Sequence, residues 1–222
     1  MDKGQNGILM EKISQLIDQY KTKKLEIEKR LEEFINILKQ SDERIFAELA
    51  FCICTPQSKA ITCWNAISSL TKNNLLFQGN AKQIRPFLNA VRFGDKKASY
   101  IVEARNFFTE NGKLKIKGKI QSFKNVFALR EWLANNIKGI YFKEASHFLR
   151  NIGLGSNLAI LDIHILKNLK EYRVIEDIPK TLTKETYLEI ENKMRKFSKK
   201  IKIPMSELDL LLWSEETGKI FK

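Results

Sequence analysis

Two segments with apolar residues at helical spacing stand on either side of a single glycine turn, and this juxtaposition constrains the chain more than any other feature. The first is Val126-Phe127-Ala128-Leu129-Arg130-Glu131-Trp132-Leu133; the second is Lys143 to Arg150, where Ala145, Phe148, Leu149 and then Ile152 recur. The spacing predicts two helices. Between them lies the turn Lys138-Gly139-Ile140-Tyr141-Phe142, so the pair reads as a hairpin over about 126–152. The first amides of the second helix have no partner within it, and the positive end of the helix dipole adds to them. Such a helix start suits a phosphate.

Lys143 lies at that helix start. The positive helix end disfavours an extra proton on its amine, and a neutral lysine amine can attack an electrophilic carbon to form a Schiff base. Glu144 is adjacent but is expected on a different helix face, so no proton transfer is assigned to it. Downstream, Gly153-Leu154-Gly155-Ser156-Asn157 breaks the helix, and the apolar run Leu158 to Leu161 leads to Asp162. Ile163, Ile165, Leu166 and Leu169 then suggest another helix. Asp162 is placed to cap that helix or to face a cleft. An acid beside a lysine nucleophile is a chemically sensible pair.

Lys143 and Asp162, in this order, resemble the arrangement of the helix-hairpin-helix DNA glycosylases. More narrowly, KEASHFLRNIG, AILDIHIL and a terminal DLLLW followed by a last-residue lysine resemble the type-2 8-oxoguanine DNA glycosylase/lyase family, over about residues 46–222. The resemblance implies a bifunctional base-excision-repair enzyme: Lys143 attacks C1′ of the sugar as 8-oxoguanine leaves, and the Schiff base allows β-elimination that nicks the strand. Asp162 would stabilise the developing positive sugar and assist proton transfer. Phe93 and Trp213 would lie against the extruded base, and Lys222 would help recognise it through the terminal carboxylate. That carboxylate is an acceptor for the N7–H that 8-oxoguanine offers and guanine lacks.

The same resemblance implies DNA contacts at Gly139, Tyr141 and His147. It implies no required cofactor and no metal, with a monovalent cation possible at the hairpin, and double-stranded DNA containing 8-oxoguanine as the partner of a monomer. Its hairpin carries a second glycine, G-I-G, where this chain has Tyr141, a replacement that would be strained if φ there were positive. Plainer roles stand beside these. Phe93 could close the core, Trp213 could be a core tryptophan before a frayed terminus, and His147 and His164 could be structural. Two histidines without a third ligand argue weakly for metal. Two functional rivals also remain: a non-catalytic hairpin DNA-binding module, and a glycosylase for an alkylated or deaminated base.

Composition sets the outer bounds. The 222 residues suffice for a sizeable core, and the net charge of +13 points to a polyanionic partner, although a lysine-rich solvated surface gives the same excess. Cys52, Cys54 and Cys63 match neither a disulfide framework nor a zinc or iron–sulfur pattern, and suggest buried thiols in a reducing compartment. No apolar run reaches transmembrane length and the N-terminus lacks a signal-peptide core, so a cytoplasmic, nucleoid-associated protein with no membrane is expected.

Along the chain, Ile8 to Leu38 reads as one long helix or two, with charges between its apolar positions. Ser41-Asp42-Glu43-Arg44 reads as the start of a helix whose apolar run Ile45 to Cys54 should be central to the core, and Thr55-Pro56 as its end. Ser58 to Leu70 follows as a helix, with Gln57, Ser58 and Lys59 at the junction. Asn89 to Ala98 exposes an aromatic, Phe93, next to Arg92, ahead of a helix from Lys97 to Phe108. Asn111 to Ile120 reads as a lysine- and glycine-rich loop. Thr183 to Phe197 reads as a helix with Tyr187, Leu188, Glu191 and Met194 on one side, and Ser206-x-x-Asp209 as a capping box behind Pro204, with Leu208, Leu211 and Leu212 as the core face. Strand-like alternation is scarce. The expectation is an all-α fold: a single helix-hairpin-helix unit over 1–222, of two helical lobes with a DNA cleft between them.

Overall fold

The computed structural model describes residues 3–222, with the side chains of 3–5, 216 and 217 left aside. The fold is all-α. Helix α1 runs unbroken from Lys3 to Ile37, and α2 (Asp42–Cys54), α3 (Ala60–Lys72), α4 (Leu75–Gln78) and α5 (Ala81–Ile84) follow. After a 3₁₀ turn at Arg85–Leu88 come α6 (Gly94–Phe107), α7 (Ile116–Gln121), α8 (Val126–Asn136) and α9 (Phe142–Asn151). The last three helices are α10 (Ile163–Glu171), α11 (Lys184–Ile201) and α12 (Met205–Thr217). None of the described helices is long and apolar enough to cross a membrane.

The chain divides into two compact units, one formed by residues 1–33 with 155–222 and the other by residues 34–154. In the second unit α2 is the core element. Ser41 caps it by accepting from the Arg44 amide, every residue from Ile45 to Cys54 is buried, and the helix stops at Thr55, as the following proline requires. Glu48 is fully buried among these apolar residues and is tolerated because Arg44 lies 2.7 Å from Oε1 and the Asn151 amide donates to Oε2 at 3.1 Å. Helices α3, α6 and α9 pack on α2.

The supposed loop over 111–120 is a correction. Thr109–Glu110 (β1) pairs antiparallel with Lys113–Leu114 (β2), and α7 follows with Ile116 and Ile120 buried one turn apart. Strands of two residues cannot display alternation, and the lysines and Gly118 around the two isoleucines obscure a single helical turn.

In the first unit α11 buries Tyr187, Ile190, Glu191 and Met194, whereas Leu188 is 37 % exposed and belongs to the outer face. Helix α12 starts two residues earlier than the capping-box pattern implies: Pro204 occupies the cap, with no side-chain hydrogen bond, and Asp209 is buried inside the helix instead of closing its end. Proline needs no amide partner at a helix start, so a box is not required there.

Candidate active site

Helices α8 and α9 form the predicted hairpin. Asn125 caps α8 by accepting from the Phe127 and Ala128 amides, and α9 begins at Phe142 after the turn. Gly139 has φ +80°, and a Cβ there would sit 2.7 Å from Tyr100 Cδ2, so both conformation and space demand glycine. Tyr141 makes no such demand, because its φ is −108°. Its replacement of the expected hairpin glycine therefore brings no backbone strain. Its side chain is 72 % exposed. At the other end of α9, Gly153 has φ +81°, its amide bonds Arg150 O at 3.0 Å and the Leu154 amide reaches back to Leu149 O at 2.8 Å, which closes the helix.

All of α9 from Glu144 to Asn151 is buried. Lys143, second residue of the helix, keeps its side chain 25 % accessible. Its Nζ lies 2.8 Å from Glu144 Oε1, while Glu144 Oε2 accepts from the Tyr141 amide at 3.2 Å. The expectation that Glu144 faces elsewhere is thus corrected. A third-position glutamate folds back toward the helix cap, and this brings its carboxylate across the first turn to the lysine. His147, one turn on, is 7 % exposed, with its ring edge-on to Phe51 at 5.4 Å. That placement fits the structural role better than a surface contact with DNA.

Phe93, in the same unit, is 50 % exposed and so does not close the core. It adopts a left-handed backbone, φ 59° and ψ 37°, as the residue before α6, and the Arg92 guanidinium lies 5.0 Å from its ring centre. A non-glycine residue in this region costs roughly 1–2 kcal/mol, so its surroundings must hold it there. Helix α6 accordingly starts a turn earlier than its periodicity suggests, at Gly94.

Sequence reasoning passed over Lys97, which reads as one of a run of surface lysines. It is buried, and its Nζ donates to Cys54 O and Pro56 O, both at 2.7 Å, and to Ser58 Oγ at 3.3 Å. Burial pulls its pKa below the usual lysine range, and both Lys143 and Glu144 act on its charge. The three cysteines are buried free thiols, and Cys63 Sγ donates to Cys54 O at 3.1 Å.

The remaining predicted residues lie in the first unit. Asp162 caps α10, its Oδ1 accepting from the Ile165 amide at 2.8 Å. The buried run before it is fixed to α11: the Ala159 amide donates to Glu191 Oε1 at 2.8 Å, and the Tyr187 hydroxyl donates to Ala159 O at 2.6 Å. These two anchors on α11 were visible only as members of an apolar helix face. Trp213 is half-buried on α12. Ile220 and Lys222 are 6 % and 7 % exposed, so the tail is packed and not frayed. Among the described residues, no group of three or more histidine, cysteine, aspartate or glutamate side chains could hold a metal ion.

A family model described as 8-oxoguanine DNA glycosylase matches residues 27–203. A relative from Fusobacterium nucleatum named 8-oxoguanine DNA glycosylase/AP lyase is 49 % identical over 204 residues, 91 % of this chain and 94 % of its own length. The crystal structure of the Methanocaldococcus jannaschii 8-oxoguanine DNA glycosylase superposes with a TM-score of 0.86 at 38 % identity, covering 96 % of this chain and 97 % of that one. The M. jannaschii enzyme in complex with 15mer DNA containing 8-oxoguanine gives 0.84 at 38 % identity, over 94 % of this chain and 100 % of that one. Trp213 and Lys222 fall outside the span of the family model.

Proposed function

The chain belongs to the 8-oxoguanine DNA glycosylase family and is an 8-oxoguanine DNA glycosylase/AP lyase, and from this premise we propose that its chemistry runs through Lys143 and Asp162. Lys143 Nζ bonds to C1′ of the extruded nucleotide as the bond from C1′ to the base breaks and its electron pair leaves with the base. The nitrogen then gives up a proton, the C1′–O4′ bond breaks with its electron pair passing to O4′, which takes up a proton, and the nitrogen lone pair closes the Schiff base. Loss of a proton from C2′ then expels the 3′ phosphate, which is the β-elimination that nicks the strand. Asp162, held by its cap and by the anchored run before it, supplies the negative charge that favours the developing positive sugar and assists the proton transfers.

One observation carries the assignment of the nucleophile. On a helix whose next eight residues are all buried, the amine of Lys143 stays reachable, at the end where the first-turn amides and the dipole favour a phosphate. The exposed Tyr141 and the turn at Gly139 are the hairpin's contacts to that backbone. Phe93 and Trp213 hold the base, and Lys222 reads it with the terminal carboxylate. The reaction calls for no cofactor, and the hairpin turn is where a monovalent cation would bridge protein and phosphate. The protein works as a cytoplasmic, nucleoid-associated monomer.

The test is borohydride reduction during turnover, on duplexes carrying oxidised, alkylated and deaminated bases. A covalent adduct formed with 8-oxoguanine DNA and carried on Lys143 is the expected result. Absence of any adduct would leave a protein that only grips the duplex, and preferential trapping on another lesion would reassign the substrate.

A further inference from the structure

The turn after α2 and the start of α6 are tied together at two points that flank Phe93. On one side the Arg92 amide donates to Ser58 Oγ at 3.0 Å. On the other, the amide of Lys97 bonds Phe93 O at 3.0 Å, while its ammonium holds Cys54 O and Pro56 O and also reaches Ser58 Oγ. Ser58 Oγ thus accepts from both sides of the aromatic. Between the two ties sits a phenylalanine in a left-handed conformation that a free chain avoids, half of its surface open to solvent. Strain of this kind persists only where the surroundings over-determine it.

We propose that Ser58 and Lys97 are positioning residues for base excision, forming a clamp that keeps Phe93 in its outward pose. This deepens the site described above and rests on Phe93 being a base contact. The clamp touches neither the sugar nor the scissile bond. Its effect falls on the step in which a base must be held out of the stack, and not on the lyase chemistry at a sugar that has already lost its base. A lysine that merely capped the carboxyl end of α2 would weaken both steps together, through loss of folded protein.

The test uses full-length Ser58→Ala, Ser58→Thr and Phe93→Ala variants with two substrates, an 8-oxoguanine duplex and a duplex with a pre-formed abasic site. Ser58→Ala lowers single-turnover excision of 8-oxoguanine by roughly tenfold, the loss of the bond from the Arg92 amide and of the longer one from Lys97, while borohydride trapping on abasic DNA is unchanged. Ser58→Thr, which keeps the hydroxyl, restores excision. In a Phe93→Ala background, Ser58→Ala has no further effect, because the residue it positions is gone. Lys97→Met shows the same split between substrates, and Ser58→Ala carries the test if that variant does not fold. Equal losses on both substrates, or a Ser58→Ala effect as large without the Phe93 ring as with it, would overturn the clamp. If Phe93→Ala alone leaves excision intact, the assignment of Phe93 to the base fails, and the clamp fails with it.

Discussion

The Glu144 carboxylate lies 2.8 Å from the Lys143 ammonium and with its other oxygen accepts from the Tyr141 amide, so one side chain fixes both the hairpin turn and the amine beside it. The contact is between sequence neighbours and needs no other element of the fold. It places the candidate nucleophile before any DNA arrives.

Lys143→Gln removes the amine while keeping a polar side chain of similar length at a partly exposed position. Borohydride trapping and strand nicking should be abolished, and duplex affinity measured by fluorescence anisotropy should change only a few-fold, since one cation among 39 lysines and arginines is lost. Nicking retained by this variant would move the nucleophile elsewhere.

The two contacts of Glu144 can be separated. Glu144→Ala loses both, and the missing cap should cost about 1 kcal/mol, which in a chain of this size lowers Tm by roughly 2–4 °C. Glu144→Gln still offers a carbonyl oxygen to the Tyr141 amide but no charge to Lys143. Its Tm should stay near that of the parent while trapping slows by about tenfold, because the amine is no longer held at its post. Trapping by Glu144→Gln at the parental rate would make the ion pair a resting-state contact only.

Gly139 and Tyr141 make opposite predictions from neighbouring positions. Gly139→Ala places a Cβ at φ +80° and 2.7 Å from the Tyr100 ring, and should lower Tm by about 3–8 °C, for a strain of roughly 1–2 kcal/mol. Tyr141→Gly, which restores the glycine of the G-I-G pattern, relieves no strain, since φ there is −108°. Its Tm should be unchanged or slightly lower, because glycine only adds freedom to the unfolded chain. Thermal denaturation of the two variants side by side checks both.

What the sequence made legible follows the range over which its signals act. The helices around Gly139 and the cap at Asp162 were readable because periodicity and capping are local, spanning three or four residues. Lys97 was not, because its acceptors Cys54, Pro56 and Ser58 lie about forty positions upstream, and a lysine in an Asp-Lys-Lys run looks solvated until the fold is known. Glu191 and Tyr187 share that obscurity, their partner Ala159 being around thirty residues away. Glu144 failed for a different reason. Face assignments by helical angle do not hold in the first turn, where a side chain can fold back on the cap.

Burial pushes the Cys63 thiol up to about 11 and Cys54 higher still. Iodoacetamide at pH 8 should therefore modify no cysteine in the folded protein and all three in denaturant, counted by intact mass. The linkage has a sign. An unfolded thiol ionises near pH 8.5 and Cys63 only near 11, so the stability tied to it is present below about pH 8.5 and is lost as the pH rises toward 11. The fall in Tm over that window should be shallower in Cys63→Ala.

Lys222 is 7 % exposed at the very end of the chain, where most termini are loose. In the role proposed for Lys222 its α-carboxylate is the acceptor, and burial of the residue limits how far that group can move. In that role a fixed acceptor is what discrimination requires, because the N7–H of 8-oxoguanine would meet it while guanine would present only a lone pair at N7. Deleting Lys222 transfers the carboxylate to Phe221 and displaces it by one residue, up to about 3.5 Å in an extended chain, beyond the tolerance of a hydrogen bond. The ratio of 8-oxoguanine to guanine affinity in competition binding should then fall by about tenfold or more, the worth of one charge-assisted hydrogen bond, with binding to undamaged duplex unchanged. A Lys222→Ala variant, which keeps the carboxylate in place, should retain most of the discrimination. If both variants lose duplex binding and discrimination together, the tail serves the fold and not the base.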